Sequence, residues 1–430
     1  MEKGIKVDLF QQDINHLLEP YITQKIERGG YDFVGLGFVA GYYQYQKAKK
    51  IAEAVNRADN RSGFKFLLGG HGPAADPEYF MKLLEADAVF VGDAEDSLVK
   101  YVTGQGDSSS PSGVIHPIPP AISAMSDDSP WPAYDSFPIE VYSRTMWPTS
   151  KPHDLCMPIL SGRGCPYQCT FCYRMEPGKF LPRSPDAIID EMSYLHLDYR
   201  INHFQFSDEL FMSSTERVER FCERILEREF AKDRPGVKWD CSGRLNFAKP
   251  KTLRLMKRAG CEYVNYGCEA MDDQVLRNLN KGLTVRRIRE GVKATLEAGL
   301  SPGLNFIWGS PGDTPNTLIA ATKFLLANDL CHELRTIRPV TPYPGSELFN
   351  EAVRRGLLKN TADFYENKHV NSDLLTVNFT DLSDVQFHAY LKIANKALIK
   401  NYYEKTKKRV LRAANQLYSG DASFRGFRPV

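Results

Sequence analysis

The sequence predicts an α/β protein built from two units in tandem, a shortened doubly wound parallel sheet followed by a partial (β/α)6 barrel. Three observations predict it. Short apolar runs alternate with helix-period stretches through residues 4–105. A stretch rich in Ser, Pro, Gly and Asp then breaks the pattern at 104–153. From Leu155 the alternation resumes in six longer units that end near 345. A chain of 430 residues fits two to three domains. We divide it at 1–115, a linker 116–153, the barrel 154–345 and a mostly helical region 346–430, expected to close one side of the barrel.

In the first unit, Ile5–Phe10 is a candidate strand and 12–28 is helix-like. Asp32–Phe38, Phe64–Leu68 and Ala88–Val91 are further strands, with helical stretches at Tyr45–Arg57, Pro77–Leu84 and Glu95–Val102 between and after them. Repeated βα units imply a parallel sheet with any ligand at the strand C-terminal ends. Gly69, Gly70, His71 and Gly72 stand at such an end, where backbone can approach another group closely. Gly104–Gly113 reads as a flexible connector, and Ile118-Pro-Pro with Ser129-Pro-Trp-Pro-Ala-Tyr-Asp135 stiffens the path after it.

In the second unit the strands are Leu155–Leu160, His203–Ser207, Val237–Cys241, Tyr263–Gly267, Leu304–Trp308 and Leu334–Val340. Ser184-Pro-Asp starts a helix, with Ser as cap and Pro in the first turn. Ser213–Glu216 reads as a capping box, and Thr314-Pro315 as another cap. An active site in such a barrel lies at the strand C-terminal ends.

Composition excludes several classes. Apolar residues make up 42% and charged residues 25%, ordinary for a globular protein. A net charge of +2 gives no bulk attraction for nucleic acid. The basic stretch Lys400–Arg412 reads as a solvated helix face. No run of about 18 apolar residues occurs, so no membrane span is expected. Met1-Glu-Lys-Gly has no apolar signal core, and the reading is cytoplasmic. Nine cysteines in so long a chain are no disulfide scaffold, so clustered ones are metal ligands or catalytic groups.

The cluster is Ser161-Gly-Arg-Gly-Cys165-Pro-Tyr-Gln-Cys169-Thr-Phe-Cys172, spaced C-x3-C-x2-C directly after the first barrel strand. A [4Fe–4S] cluster held by protein alone normally takes four thiolates. Three leave one iron open to a substrate or cosubstrate. A zinc knuckle is the alternative, but such sites usually pair two knuckles and no second one exists here. The other six cysteines are scattered, and packing explains them.

Other strand ends carry Asp208-Glu209, Ser242-Gly-Arg244, Cys268-Glu269, and Asn305 with Gly309–Gly312. The last turn could pass for a phosphate loop, though it lacks the lysine and hydroxyl of one. The final strand leads into Thr341-Pro-Tyr-Pro-Gly345.

The cysteine loop, together with FSDELF, WDCSGR, GCEAMDDQVLRNLNKG, GLNFIWGSPGDT and TPYPGSELF, resembles the core of the radical S-adenosylmethionine (SAM) superfamily over about 150–360. The run from Gly69 to Leu98, with the Gly92–Glu95 turn, resembles more weakly the end of the cobalamin (B12)-binding domain that precedes the barrel in one branch. The fold implied is a partial (β/α)6 TIM-like barrel behind a shortened Rossmann-like cobalamin-binding-type domain.

The resemblance implies that Cys165, Cys169 and Cys172 hold a [4Fe–4S] cluster whose open iron chelates SAM. An external one-electron reductant of the flavodoxin or ferredoxin type would then drive cleavage to a 5′-deoxyadenosyl radical. Physical fit names the SAM contacts. Asp208 or Glu209 suits the ammonium, and Arg244 matches the carboxylate with a planar fork. Glu269, Ser242 and Asn305 suit the ribose, while Phe171 and Tyr173 suit the adenine. Gly69, Gly70 and His71 are the cobalamin candidates, although the D-x-H-x-x-G pattern that would ligate cobalt is absent.

The function implied is hydrogen abstraction from an unactivated carbon of a small molecule or peptide, leading to cobalamin-dependent C-methylation. A degenerate first domain would leave a cobalamin-independent rearrangement, cyclisation or oxidation. A non-enzymatic iron–sulfur or zinc protein is the alternative from another class. Neither a nucleic acid nor a membrane is an expected partner.

Overall fold

A computed structural model describes residues 4–104, 113–116, 127, 130–174, 178, 180–228 and 236–420. Most of the Gly104–Gly113 connector and all of Ile118-Pro-Pro lie outside the described residues.

The first unit is a parallel sheet of β1 (Phe33–Gly37), β2 (Lys65–Gly69), β3 (Ala88–Phe90) and β4 (Val114–Ile115), in that order. Helices lie on both faces. Ile22, Tyr45, Val55 and Phe80 pack with Phe66, Leu68 and Val89. Tyr101 and Val102, from the helix Glu95–Val102, pack with Leu67, Ala88 and Phe90. Each strand thereby buries alternate side chains against opposite layers.

The expected strand Ile5–Phe10 is not a strand. Tyr31 donates its hydroxyl to Asp8 at 2.6 Å, and the Phe10 ring lies 6.4 Å from that of Tyr31. Side-chain contacts hold this segment where no sheet edge receives it.

The second unit is a curved parallel sheet of β5 (Cys156–Ile159), β8 (His203–Phe206), β9 (Lys238–Gly243), β10 (Cys261–Glu269), β11 (Ser301–Trp308) and β12 (Arg338–Pro339), neighbours in that order. A small antiparallel pair, β6 (Gly162–Gly164) with β7 (Phe180–Pro182), brackets the cysteine loop. Outward strand residues such as Phe206, Trp239, Tyr266 and Leu304 bury against the surrounding helices.

Ser184 caps its helix by accepting from the Ala187 amide at 3.2 Å, with Pro185 next to it. The next helix is capped by Ser214 and not by a box at Ser213, because Arg217 occupies the third position. Thr314 and Thr317 do form a reciprocal box.

The last barrel strand is much shorter than the predicted Leu334–Val340. Asn395, from the long helix Asp384–Tyr418, accepts from the Ile337 amide and donates to the Ile337 carbonyl, both at 2.9 Å. A side-chain amide thus pairs the edge backbone in place of a neighbouring strand.

The C-terminal region divides between the units. Phe387, Leu391, Ala394 and Leu398 of the long helix join the barrel core, with Phe387 stacked on Trp308 at 4.3 Å. Leu348, Phe349, Phe364, Tyr365, Val377 and Phe379 instead join the core of the first unit. Tyr365 stacks on Tyr45 at 4.4 Å, and Lys49 pairs with Glu366 at 2.7 Å. The expectation that all of 346–430 closes the barrel is therefore corrected. The run Val340–Phe379 supplies the apolar surface that helix Tyr42–Asn56 needs on its outer side.

Candidate active site

The cysteine loop begins where β5 ends and is tied down from four directions. Asp208, just after β8, accepts from the Ser161 amide at 2.7 Å, from the Gly162 amide at 3.1 Å and from the Ser161 hydroxyl. Arg217 donates to the Ser161 carbonyl at 2.6 Å and to its hydroxyl at 2.8 Å. The turn after β10 holds the other end. The Thr170 amide donates to the Leu279 carbonyl at 3.0 Å, and Asn280 donates to the Gln168 carbonyl at 2.7 Å. Finally the Leu348 amide donates to the Thr170 carbonyl at 2.8 Å.

The three thiols sense one another electrically. Burial pushes the Cys165 thiol up, and Cys169 and Glu209 raise it further. Cys172 is exposed at the surface, yet the protein packed around its thiol pushes it up to about 12, with Cys169, Glu269 and Cys165 adding to the rise. Among the described residues no three His, Cys, Asp or Glu side chains converge on a single-ion site. Three thiols on one short loop can ligate a [4Fe–4S] core and leave one iron open, and a coordinated metal deprotonates them.

Cations flank the loop. The Arg244 guanidinium lies 3.5 Å from the Tyr167 ring centre, and its Nε donates to Asn246 at 3.0 Å. Its Nη2 is buried with no partner among the described residues. A buried guanidinium nitrogen left open beside the thiols is what a ligand carboxylate would satisfy. Lys281 donates to Glu269 at 2.8 Å, and its ammonium stands 5.6 Å from the Phe171 ring centre. Glu269 sits at a bulge of β10 with φ +66°, a left-handed conformation rare for a glutamate. Gly267 makes room for the pair, since a Cβ there would fall 2.2 Å from Glu269 Oε1.

The structure gathers Phe171, Arg244, Glu269 and the three cysteines, with Glu209 close enough to act on Cys165. Tyr173 turns toward the first unit, its ring 6.1 Å from that of His71 and against Gly345. Asp208 lies under the loop with its oxygens engaged as described. Ser242 accepts from the Phe211 amide at 3.2 Å through its carbonyl. Asn305 is deeper in the barrel, donating to Asn265 at 2.8 Å and accepting from Arg335 at 3.0 Å. Asp313 fills its own turn, accepting from the Gly309 and Ser310 amides at 3.0 and 2.9 Å, so those donors are not free for a phosphate.

A cavity of about 450 Å³ joins the two units. His71, Asp93, Glu95 and Leu98 form one wall, and Leu160, Arg163, Arg174 and Glu209 form the facing wall. Arg163 bridges the walls, donating to Asp93 at 2.8 Å and to Glu95. Arg174 keeps Nε and Nη1 buried with no partner among the described residues. Burial raises the Glu209 carboxyl, while the His71 and Arg174 charges pull it back.

Of the cobalamin candidates, His71 faces this cavity. Gly70 answers to the fold: its φ is +94°, and a Cβ there would lie 2.6 Å from the Phe38 carbonyl oxygen. Gly69, by contrast, has open space at its Cβ position, which leaves its backbone approachable. An open strand end facing a shared, partly cationic cavity suits a large amide-bearing ligand such as cobalamin.

Sequence reasoning missed Lys281, Arg163, Arg174 and Arg217. Lys281 alone had a local signal, because NLNKG combines a positive-φ glycine with a turn that reaches the cysteine loop.

A parallel half-barrel with a three-thiolate loop at its mouth, behind a small parallel-sheet domain, defines the radical SAM class with an accessory domain. Comparison with known proteins agrees. Residues 159–325 match the radical SAM superfamily model, and residues 1–102 match the B12 binding domain. An uncharacterized methyltransferase of Pyrococcus horikoshii is 26% identical over 93% of this chain and 85% of its own length. The bacteriochlorophyllide d C-12(1)-methyltransferase of Chlorobaculum tepidum is 30% identical over 47% of this chain and 44% of its own. The hopanoid C-2 methylase of Rhodopseudomonas palustris is 25% identical over 79% and 60%.

Among solved structures, the radical SAM methyltransferase TsrM of Kitasatospora setae superposes with a TM-score of 0.66 at 18% identity, covering 84% of this chain and 74% of that one. The cobalamin-dependent enzyme OxsB gives 0.62 at 17% identity, covering 83% and 51%. The chain thus carries a radical SAM domain at 159–325 with a B12 binding domain at 1–102 ahead of it. Its cofactors are those of these two domains: a [4Fe–4S] cluster, SAM and cobalamin. No described helix is long and apolar enough to cross a membrane.

Proposed function

We propose that this protein is a cobalamin-dependent radical SAM C-methyltransferase acting on an unactivated carbon. The observation that carries the reading is the shared cavity, where His71, Asp93 and Glu95 of the first unit face Gly162, Gly164, Arg174 and Glu209, the residues that flank the cysteine loop. A radical generated on one wall and a methyl carrier on the other would meet the same substrate carbon.

When bound, the cluster supplies the electron that cleaves SAM, and cobalamin supplies the methyl group to be transferred. The chain's own residues prepare for this. Cys165, Cys169 and Cys172 hold the cluster and leave one iron to SAM. Arg244 offers its open Nη2 to the SAM carboxylate. Glu269, oriented by Lys281, accepts from the ribose hydroxyls. Ser242 stands beside Arg244 on the third barrel strand as a further ribose candidate, whereas Asn305 is engaged with Asn265 and Arg335.

The named relatives include a hopanoid methylase and a bacteriochlorophyllide methyltransferase, so a hopanoid and a chlorophyllide are the first substrates to assay. A relative of Cereibacter sphaeroides, 28% identical over 44% of this chain, is instead a magnesium-protoporphyrin ester cyclase. Products separate the two readings. Methylation yields S-adenosylhomocysteine together with 5′-deoxyadenosine from anaerobically reconstituted protein, reductant and SAM. Release of 5′-deoxyadenosine alone supports cyclisation or oxidation. No SAM cleavage with an intact cluster, across both substrates, sinks the radical reading.

A further inference from the structure

The long helix Asp384–Tyr418 spans 35 residues, but its fully buried side chains end at Leu398, and past it Asn401, Lys405 and Arg409 bond to the Asp329–Cys331 turn on the barrel side. Phe387, Leu391, Ala394 and Leu398 face the barrel, and the opposite face has no partner among the described residues. That face is not simply polar. Within about 80° of the helix circumference it carries Val385, Ile393, Tyr403, Leu411 and Tyr418, which are 80%, 68%, 62%, 52% and 84% exposed. Lys396, Lys400 and Lys407 interleave with them on the same face. Glu404 is the one acid beside the stripe, and it stands 3.9 Å from Lys400 in an exposed pair that leaves Lys396 and Lys407 as the unopposed charges. The helix Pro315–Asn328, packed alongside, adds Ile319 at 47% exposure and Lys323 one turn later.

We propose that this face docks the enzyme, as a peripheral protein, on a membrane surface rich in anionic lipid. Three features select that occupant. An apolar stripe bordered by lysines, with tyrosines whose rings are apolar and whose tips are polar, is the pattern of a helix lying in the lipid headgroup region. The lysines complement negative headgroups at short range. A second copy of the chain is a poor occupant, because a two-fold contact through this face would oppose lysine to lysine. A nucleic acid would use the lysines but has no use for Val385, Ile393 and Leu411. The lysine stems lie along the stripe while their ammonium groups reach outward, so one helix offers both apolar area and charge.

The test uses the full-length protein with two kinds of vesicle, one of phosphatidylcholine alone and one of equal parts phosphatidylcholine and phosphatidylglycerol. Cosedimentation is expected with the anionic vesicles only, weakening about tenfold or more as salt rises toward roughly 0.5 M. The triple variant K396E/K400E/K407E is expected to lose binding. The double variant I393D/L411D is expected to lose it while the charge pattern around it stays in place. All five positions are exposed, so circular dichroism and thermal unfolding should match the parent and exclude misfolding as the cause. The proposal is overturned if the parent does not sediment with anionic vesicles, or if neither variant weakens its sedimentation. It is equally overturned if light scattering shows a parent dimer that I393D/L411D converts to monomer, because the face would then belong to self-association.

Discussion

Lys281 donates to Glu269 at 2.8 Å at the mouth of the barrel, with only 10% and 8% of the two side chains exposed. Cutting one partner strands the charge of the other. Glu269→Ala is expected to cost about 3–5 kcal/mol in urea unfolding, with Lys281→Met/Glu269→Leu recovering much of the loss. A single-variant cost below about 1 kcal/mol would mean that water screens the pair as it does on a surface.

Cys169 is the most buried of the three loop thiols and acts electrically on both others. Cys169→Ala should remove the iron–sulfur absorbance and the bound iron of anaerobically reconstituted protein. Retention of a full cluster by that variant would identify a different set of ligands.

The floor of the barrel is expected to set an alkaline limit on stability. Burial by itself lowers the His203 imidazole, but hydrogen bonding and the charge of Asp240, 3.0 Å away, overcome this and raise it to about 9. Asp154, paired with Lys238 at 2.8 Å, lies 3.7 Å from the other ring nitrogen. Two carboxylates, one lysine and a charged imidazole balance; a neutral imidazole leaves one negative charge over. The folded pKa stands above the ordinary 6.5, so the contribution is complete below that pH and is lost as pH rises through 9. The loss should reach about 3 kcal/mol at most. Denaturant melts from mildly acid to alkaline pH measure it, and His203→Gln should flatten the slope. An equal slope in the variant would place the limit elsewhere.

The stacked pair Tyr45 and Tyr365 fastens the C-terminal run to the first unit. Tyr365→Ala should cost about 3–5 kcal/mol. The effect should be local: hydrogen exchange is expected to accelerate in Lys65–Gly69 and far less in Cys261–Glu269. Uniform acceleration in both strands would mean that the two units unfold together.

What the sequence could reveal follows the reach of each interaction. The cysteine loop and the caps at Ser184 and Thr314 are set within a few residues, so spacing and residue type disclose them. Most strands of both sheets announce themselves through apolar runs, but the two-residue edge strand Val114–Ile115 is too short to do so and the run Ile5–Phe10 forms none. Arg163 and Arg217 act on partners brought close only by folding, and nothing beside them in the chain marks the meeting. The edge at Ile337 was read as a full strand because the pairing by Asn395 comes from 58 positions away. The allocation of Leu348–Phe379 to the first unit was invisible for the same reason, since an apolar run does not say which core it enters.

That allocation makes the barrel an insertion within a discontinuous domain. Tyr45 and Glu366 stand 321 positions apart and still share a hydrogen bond. A ribosome adding about 5–20 residues per second needs tens of seconds to deliver the second after the first. Through that interval Tyr45 has Phe80 and Tyr79 beside it but neither the Tyr365 ring nor Glu366. The cysteine loop shares the delay, because the Leu348 amide that holds Thr170 also comes late in the chain.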